Sequence, residues 1–307
     1  MQPFDVDESV TAMTGGTGGN RQLLFTDFCL NGCMRRTTTG LAIATASGLA
    51  GAAVARGLLH RQAAVARRII GKPLGEVAPY ADRTWKKKYG APIDLLLVGD
   101  SIAAGLGADR PKETLGGRLA KALAKVTGRA VRLRTVARVG AESSMLADQL
   151  ATLPSSYRPD VAVIVVGGND VTHRVPVADS VRYLEEAINA LRERGAGVVV
   201  GTCPDLGALR PVPQPLRALG SRASRQLASA QEVAAIAAGA HSVSLARVVG
   251  PFFITNPDEM FSLDRFHPSA IGYKRTAKAM LPSVLAALGL EVSLPFGHRI
   301  PTLVTEP

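Results

Sequence analysis

The sequence predicts an α/β fold with three layers, in which a parallel sheet of five strands lies between two layers of helices. From residue 91 onward, short apolar runs alternate with segments whose apolar residues recur at helical spacing. Such alternation builds a parallel sheet that helices cover on both faces. Residues 161–166 are six consecutive apolar residues, which is typical of a central strand buried on both faces. The fold prediction depends on these two observations.

Five segments have the features of strands, because they are short, largely apolar and bounded by glycine or polar residues. The first ends in a Gly-Asp-Ser turn, the second alternates apolar residues with Arg and Thr until Gly140, and the third ends in Gly-Gly-Asn-Asp. In chain order the predicted strands are residues 93–98, 131–139, 161–166, 198–200 and 242–245.

Four segments carry apolar residues every three or four positions and are predicted helices. The first is closed by Gly128, a residue type that commonly ends helices. The predicted helices are residues 114–126, 181–191, 216–238 and 269–288. The arrangement is flavodoxin-like, and it places the main domain at residues 91–290 and a C-terminal tail at residues 291–307.

The chain before residue 91 differs in composition. We expect residues 1–33 to be disordered, because their Gly- and Thr-rich stretch has few apolar side chains to offset the entropy of ordering. Residues 34–55 begin with Met34-Arg35-Arg36, continue as an uncharged run, and resemble a secretory signal that starts at Met34. A cleaved signal, a membrane anchor and an Ala-rich helix packed on the domain remain alternatives for this segment, and so do translation starts at Met1 and at Met34.

The positive charge is concentrated in one segment. The formal net charge is +11, and residues 56–88 hold nine basic and two acidic residues, a net +7. We expect residues 56–90 to form a basic, helical linker, whose charge at residues 56–88 suits an anionic membrane surface. A solvated helix face is the alternative. The expected location is exported or membrane-associated, with the cytoplasm as the alternative, because basic residues after an apolar segment favour retention.

Composition also excludes several classes of protein. Three cysteines (Cys29, Cys33 and Cys203) are too few for a disulfide scaffold, and no second Cys or His pair at metal-binding spacing follows, so we expect no metal and no cofactor. Aromatic residues make up only 5% of the chain, which argues against a nucleic-acid-binding surface despite the basic pI.

Polar residues that suit nucleophilic catalysis follow the predicted strands. Ser101 directly follows the first strand, although a Gly-Asp-Ser turn alone is more often a helix cap. Asp264 and His267 stand three residues apart before the last helix, where one turn brings a carboxylate to Nδ1 of the imidazole and leaves Nε2 for a serine. Taken alone, this pair also fits a surface turn or half of a metal site.

Two further residues are suited to binding an oxyanion. Gly140 ends the second strand and has no side chain to shield its N–H, and Asn169 follows the third strand with an uncharged amide donor. Asp100 and Asp170 adjoin these residues and are expected to act as caps or turn anchors.

Together, these motifs resemble the SGNH hydrolase superfamily, also called GDSL. Its four blocks are a Ser in Gly-Asp-Ser, a Gly, an Asn in Gly-x-Asn-Asp, and an Asp-x-x-His pair, and all four occur here in order over about residues 92–288. The chain has Ile102 where the family name has leucine, and Thr135-Val136-Ala137-Arg138 where many members carry an asparagine before the glycine.

The resemblance implies a role for each motif. It makes Ser101 the nucleophile, His267 the base and Asp264 the carboxylate that orients it, with Ser101 N–H, Gly140 and Asn169 forming the oxyanion hole. The implied activity is a serine esterase that works through an acyl-enzyme, and the apolar and basic N-terminal segments favour lipid or short-to-medium acyl esters as its substrates. A carbohydrate O-deacetylase of the same superfamily is an alternative. A non-enzymatic, flavodoxin-like binding module is another, suggested by the phosphate-loop-like residues 105–107.

Overall fold

The computed structural model of the chain describes residues 52–71 and 77–301, together with positions 73 and 75. The predicted disordered segment 1–33 and most of the apolar segment 34–55 lie outside these residues. The last four residues of that segment begin helix α1, which covers residues 52–70. Within the described part of the chain, no helix is long and apolar enough to cross a membrane.

In the part of the chain that the structure describes, a single sheet of seven strands forms the centre of the fold. The strands are β1 (Thr84–Trp85), β2 (Ile93–Gly99), β3 (Val131–Thr135), β4 (Val161–Val165), β5 (Gly197–Gly201), β6 (His241–Val243) and β7 (His298–Arg299). Their spatial order is β1-β3-β2-β4-β5-β6-β7. The five inner strands are mutually parallel, and their order is the flavodoxin-like one, so the predicted fold class is confirmed.

The predicted strand count of five is corrected to seven. β1 pairs with β3 and β7 pairs with β6, both antiparallel at the edges of the sheet. Each has two residues, too few to show an alternating pattern in the sequence. Both also lie outside residues 91–290, so the sheet draws on segments that flank the predicted domain.

Ten helices follow α1 within the described residues. They are α2 (Ser101–Ala104), α3 (Leu115–Thr127), α4 (Leu146–Ala151), α5 (Gly168–His173), α6 (Val177–Glu193), α7 (Leu216–Ala237), α8 (Leu245–Val248), α9 (Gly250–Thr255), α10 (Pro257–Met260) and α11 (Ala270–Ala287). The four predicted helices correspond to α3, α6, α7 and α11. The others have four to six residues each, which is too short for helical periodicity to identify.

Helices cover both faces of the sheet because successive side chains of a strand point to opposite sides. Leu95 and Leu97 of β2 are fully buried against α3 and α11. Leu96 and Val98 are fully buried on the other face, against α4, α6 and α7. This two-sided burial explains why β2 and β4 are almost entirely apolar.

The second strand is shorter than predicted. β3 ends at Thr135, although the sequence predicts a strand to Val139. The backbone N–H groups of Val136 and Arg138 still donate to β2, at Leu97 O and Gly99 O. Regular pairing stops because β2 itself turns away at Gly99, and the chain after Thr135 becomes a loop at the carboxyl edge of the sheet.

Candidate active site

Ser101 lies where β2 changes into α2, at the carboxyl edge of the sheet. Gly99 adopts φ +130°, and a Cβ at this position would lie 1.9 Å from the carbonyl oxygen of Val165 on β4. Only glycine fits so close to the neighbouring strand. Asp100 then caps α2 by accepting the N–H of Ile102 at 2.9 Å. The turn aims the Ser101 side chain out of the sheet edge, where it is 7% exposed.

A buried glutamine that belongs to none of the sequence motifs holds the same turn. Gln149 of α4 accepts the N–H of Gly99 at 2.9 Å and donates its own amide to Gly99 O at 2.8 Å. Its side chain is fully buried. The sequence does contain one indication of this role: Gln149 stands between Leu146 and Leu153 at helical spacing, a polar residue among apolar ones. A buried amide at such a position requires a hydrogen-bond partner.

Asp264 and His267 belong to a short loop that is closed at both ends. Phe261 and Pro268 form an isolated antiparallel bridge, and Ser262 N–H donates to His267 O at 2.8 Å. The loop leads directly into α11, which Ser269 caps by accepting two backbone N–H groups. The loop is thus held at both ends by contacts that do not involve the side chains of Asp264 and His267.

A continuous chain of hydrogen bonds connects the loop with Ser101. Oδ2 of Asp264 lies 2.6 Å from Nδ1 of His267, and Nε2 of His267 lies 3.0 Å from Oγ of Ser101. The other carboxylate oxygen of Asp264 accepts bonds from Ser262 Oγ and from the N–H groups of Phe266 and His267. Asp264 is buried, and the His267 side chain is 13% exposed.

The environment of Asp264 favours its charged form. Burial alone would raise the pKa of this carboxyl, but hydrogen bonds from the His267 ring and from the backbone N–H groups of His267 and Phe266 outweigh burial and lower the pKa to about 2. A carboxylate that stays ionised at Nδ1 holds the imidazole in the tautomer whose Nε2 accepts a proton.

Asn169 lies at the beginning of α5, beside Ser101. Its Nδ2 donates one hydrogen bond to Ala141 O at 2.9 Å, which fixes the amide and leaves its second hydrogen available. Gly140 adopts φ +81°, and space around its Cα is open. Within the described residues, its N–H donates to no protein acceptor.

Two further contacts connect α5 with the loop that carries Gly140. The buried carboxylate of Asp170 accepts the N–H of Ser143 at 3.1 and 3.2 Å. Its side chain therefore anchors the neighbouring loop, and the predicted cap role is wrong, because α5 has no side-chain cap. Nδ1 of His173 lies 2.6 Å from Oε1 of Glu142. These contacts set the positions of Gly140 and Asn169 relative to each other.

The predicted site residues border two different pockets. We call the first the serine pocket; it encloses about 80 Å³ and is lined by Ser101, His267 and Asn169 together with apolar side chains, among them Leu206, Leu209, Leu245, Val249, Phe253, Phe261 and Phe266. We call the second the side pocket; it encloses about 490 Å³ and is lined by residues 77–82, Ala104, Thr135 and residues 137–140. The structure therefore brings Ser101, His267 and Asn169 to one pocket, with Asp264 behind His267, and places Gly140 in the adjacent one.

No group of three or more His, Cys, Asp or Glu side chains suited to a metal ion occurs in the part of the chain that the structure describes. Cys203 is buried, and burial, with the nearby carboxylates, raises the pKa of its thiol well above the ordinary value. It is therefore not a candidate nucleophile.

Comparisons with known proteins identify the family. The model of the GDSL-like lipase/acylhydrolase family matches residues 97–275. A GDSL-like esterase of Mycobacterium tuberculosis is 39% identical over 281 residues, which make up 87% of this chain and 89% of the relative. These matches confirm the resemblance that the four motifs indicated.

Solved structures are similar in fold. A psychrotrophic esterase from Pseudoalteromonas is 18% identical with a TM-score of 0.51, over 64% of this chain and 98% of that chain. An acetyl-xylooligosaccharide esterase variant from Geobacillus is 18% identical with a TM-score of 0.50, over 68% of this chain and 99% of that chain. At this identity the likeness concerns the fold.

Asp100 is the second carboxyl beside Ser101, and its environment differs from that of Asp264. Full burial raises the pKa of Asp100 to about 7, and the charge of Asp170 adds to this, while the N–H of Ile102 and the charge of His267 act in the opposite direction. The pKa of this carboxyl is therefore higher in the folded state than in the unfolded chain. At pH values between the two, the folded protein keeps a proton on Asp100 that the unfolded chain has lost. Its burial therefore destabilises the fold progressively as pH rises from about 4 to about 7.

The variant Asp100→Asn removes this ionisation and keeps a side-chain oxygen for the cap. We expect the variant to become more stable relative to the wild type as pH rises from 4 to 8. The free energy of unfolding of the variant minus that of the wild type should increase by an amount on the order of a few kcal/mol. Urea unfolding at a series of pH values measures the difference. Asp109→Asn, at an exposed carboxyl, is the control, and parallel pH curves for wild type and Asp100→Asn would contradict the prediction.

Proposed function

Since the chain belongs to the GDSL-like lipase/acylhydrolase family and is a serine ester hydrolase, we propose that Ser101, His267 and Asp264 are its catalytic triad. The observation that carries the proposal is the unbroken set of hydrogen bonds from the Asp264 carboxylate through the imidazole to Ser101 Oγ, at 2.6 and 3.0 Å. A serine hydroxyl becomes a competent nucleophile when such a base accepts its proton.

The proposed reaction has two steps. Oγ of Ser101 attacks the ester carbonyl carbon while Nε2 of His267 takes the serine proton. The tetrahedral intermediate collapses, His267 gives that proton to the departing alcohol oxygen, and the acyl group remains on Ser101. A water molecule then attacks the acyl-enzyme with His267 again as base, which releases the carboxylic acid and restores Ser101. The Asp264 carboxylate stabilises the imidazolium cation in both steps and keeps its charge throughout.

Three donors are proposed for the oxyanion hole: the N–H of Ser101, the N–H of Gly140 and Nδ2 of Asn169. Ser101 is the first residue of α2, so its N–H has no partner within the helix. Asn169 is held by Ala141 O, the carbonyl next to Gly140, so this contact adds to those of Asp170 and His173 in positioning the two donors. Fixed donors of this kind need no reorganisation when charge develops on the carbonyl oxygen.

Two substitutions test these roles by steady-state hydrolysis of an aryl ester. Ser101→Ala should lower kcat by about 10⁴-fold or more, because the nucleophile is lost. Asn169→Ala should lower kcat by about 10²- to 10³-fold, because one oxyanion donor is lost.

Thr172→Ala is the matched control for Asn169→Ala. Thr172 lies on the same helix and donates its hydroxyl to Asn169 O, so its loss perturbs α5 without removing a proposed donor. Thermal unfolding of each variant checks that the fold is retained. A kcat for Asn169→Ala that matches the Thr172→Ala value would contradict the oxyanion role, and an active Ser101→Ala would contradict the triad.

We further propose that the serine pocket binds the acyl group of the ester. It adjoins Ser101, and its walls are formed largely by leucine, valine and phenylalanine side chains. Such walls suit an alkyl chain. At about 80 Å³, the pocket is smaller than a ligand site for a drug-sized molecule, which encloses roughly 300 Å³ or more, and this favours a short acyl chain.

A series of aryl esters of increasing acyl length tests this assignment. Each buried methylene contributes roughly 0.8 kcal/mol, about fourfold in kcat/KM, so we expect kcat/KM to rise from acetate and to fall once the chain exceeds the pocket, at about four to six carbons. A steady rise up to decanoate would contradict the size limit. A strict preference for acetate would contradict the proposed acyl range and favour a carbohydrate O-deacetylase.

A further inference from the structure

We propose that the side pocket binds the alcohol part of the ester, and that this alcohol is polyhydroxylated, as in a sugar or glycerol. The inference rests on the proposed function, since it assigns the second arm of the same substrate. An ester has two arms that leave the carbonyl carbon in different directions, and the serine pocket accounts only for the acyl arm.

The position of the side pocket fits the second arm. Its wall includes Gly140, whose N–H is a proposed oxyanion donor, and Ala104, which lies one helical turn after Ser101 on α2. The loop that forms this wall is bonded to the nucleophile turn, because Arg138 N–H donates to Gly99 O at 3.0 Å. The side pocket therefore adjoins the reacting centre on the Gly140 side, while the serine pocket adjoins it on the Asn169 and His267 side.

Another part of the wall comes from a segment that precedes the region matched by the family model. Residues 77–82 line the side pocket, whereas the match begins at residue 97. Asp82 fixes this segment to the sheet by accepting the N–H of Thr135 at 2.9 Å. The side pocket is thus formed by residues of this chain that the shared hydrolase motifs do not specify.

Three side chains in the side pocket suit a polyhydroxylated ligand. Oδ1 of Asp82 is buried and has no hydrogen-bond partner within the described residues; an ionised carboxylate accepts bonds from hydroxyl groups. Arg138 is exposed and is paired with no carboxylate among the residues described, which leaves its guanidinium free to donate to hydroxyl oxygens. Tyr80 is 78% exposed and presents an apolar ring face with a polar tip, to which the C–H face of a sugar or glycerol can pack.

Size supports the same assignment. The side pocket encloses about 490 Å³, within the range of sites that hold a complete small molecule. An alcohol of one or two carbons would leave most of this volume and all three polar groups without contact. A hydroxylated alcohol the size of a monosaccharide fills more of the volume and supplies donors to Asp82 and acceptors to Arg138.

The test compares three butyrate esters that share one acyl group: ethyl butyrate, glycerol monobutyrate and the 6-O-butyrate of methyl glucoside. The readout is the ratio of kcat/KM for each polyol ester to kcat/KM for the ethyl ester, so that any change in the acylation machinery cancels. We expect the wild type to favour at least one polyol ester by about tenfold. Tyr80→Ala and Arg138→Ala should each lower that ratio by about threefold or more.

Matched variants keep the test specific. Tyr80→Phe retains the ring and should retain most of the preference. Arg222→Ala removes an exposed arginine on α7 that lines neither pocket.

The outcomes distinguish the two kinds of alcohol. A loss of preference in Tyr80→Ala and Arg138→Ala that is confined to the glucoside identifies a sugar site, and a loss confined to the glycerol ester identifies a glycerol site; either supports the inference. Unchanged ratios in both Tyr80→Ala and Arg138→Ala, or a wild type without preference, would overturn it. A wild type that hydrolyses none of the three esters would overturn the proposed function and this inference together.

Discussion

The arrangement of the site depends on how closely the carboxyl end of β2 approaches β4. At Gly99 the two backbones are so near that no side chain fits between them. The side-chain amide of Gln149 forms hydrogen bonds with both the N–H and the carbonyl oxygen of Gly99. This contact turns the chain sharply into α2 and brings Ser101 to the end of one strand, next to the loop that follows the other. Because Asn169 lies at the beginning of α5, shortly after β4, the proposed nucleophile and a proposed oxyanion donor become adjacent as a direct result of strand pairing.

The charge of the Asp264 carboxylate is stabilised by residues that are close to it in sequence. The loop from Phe261 to Pro268 satisfies the Asp264 carboxylate with its own backbone N–H groups, so the charge needs no distant partner. In contrast, the buried Asp100 carboxyl has a raised pKa because the neighbouring backbone N–H groups and the His267 charge do not offset its loss of hydration. Two carboxyls near one serine therefore differ in charge preference, and only Asp264 is arranged to support an imidazolium.

Local sequence patterns predict the central strands and most of the residues of the candidate site. The apolar runs at β2 and β4 predict the central strands, and the ordered motifs at Ser101, Asn169 and His267 predict the residues that the structure brings together. What the sequence did not reveal depends on tertiary contacts. The two-residue edge strands β1 and β7 form only because neighbouring strands offer open edges. Gln149 becomes identifiable once α4 is packed beneath the turn at Gly99, and the side pocket exists because residues 77–82, which belong to none of the motifs, pass beside the Gly140 loop.

We propose above that Ser101 is a nucleophile activated by His267, and covalent labelling with a fluorophosphonate reports on this role without a choice of substrate. The reagent phosphonylates an activated serine with loss of fluoride, and intact-mass and peptide analysis locate the adduct. We expect one adduct per wild-type chain, on the peptide containing Ser101, with no adduct in Ser101→Ala and strongly slowed labelling in His267→Ala. Equal labelling of wild type and Ser101→Ala, or an adduct on a different residue, would contradict the proposed role of Ser101.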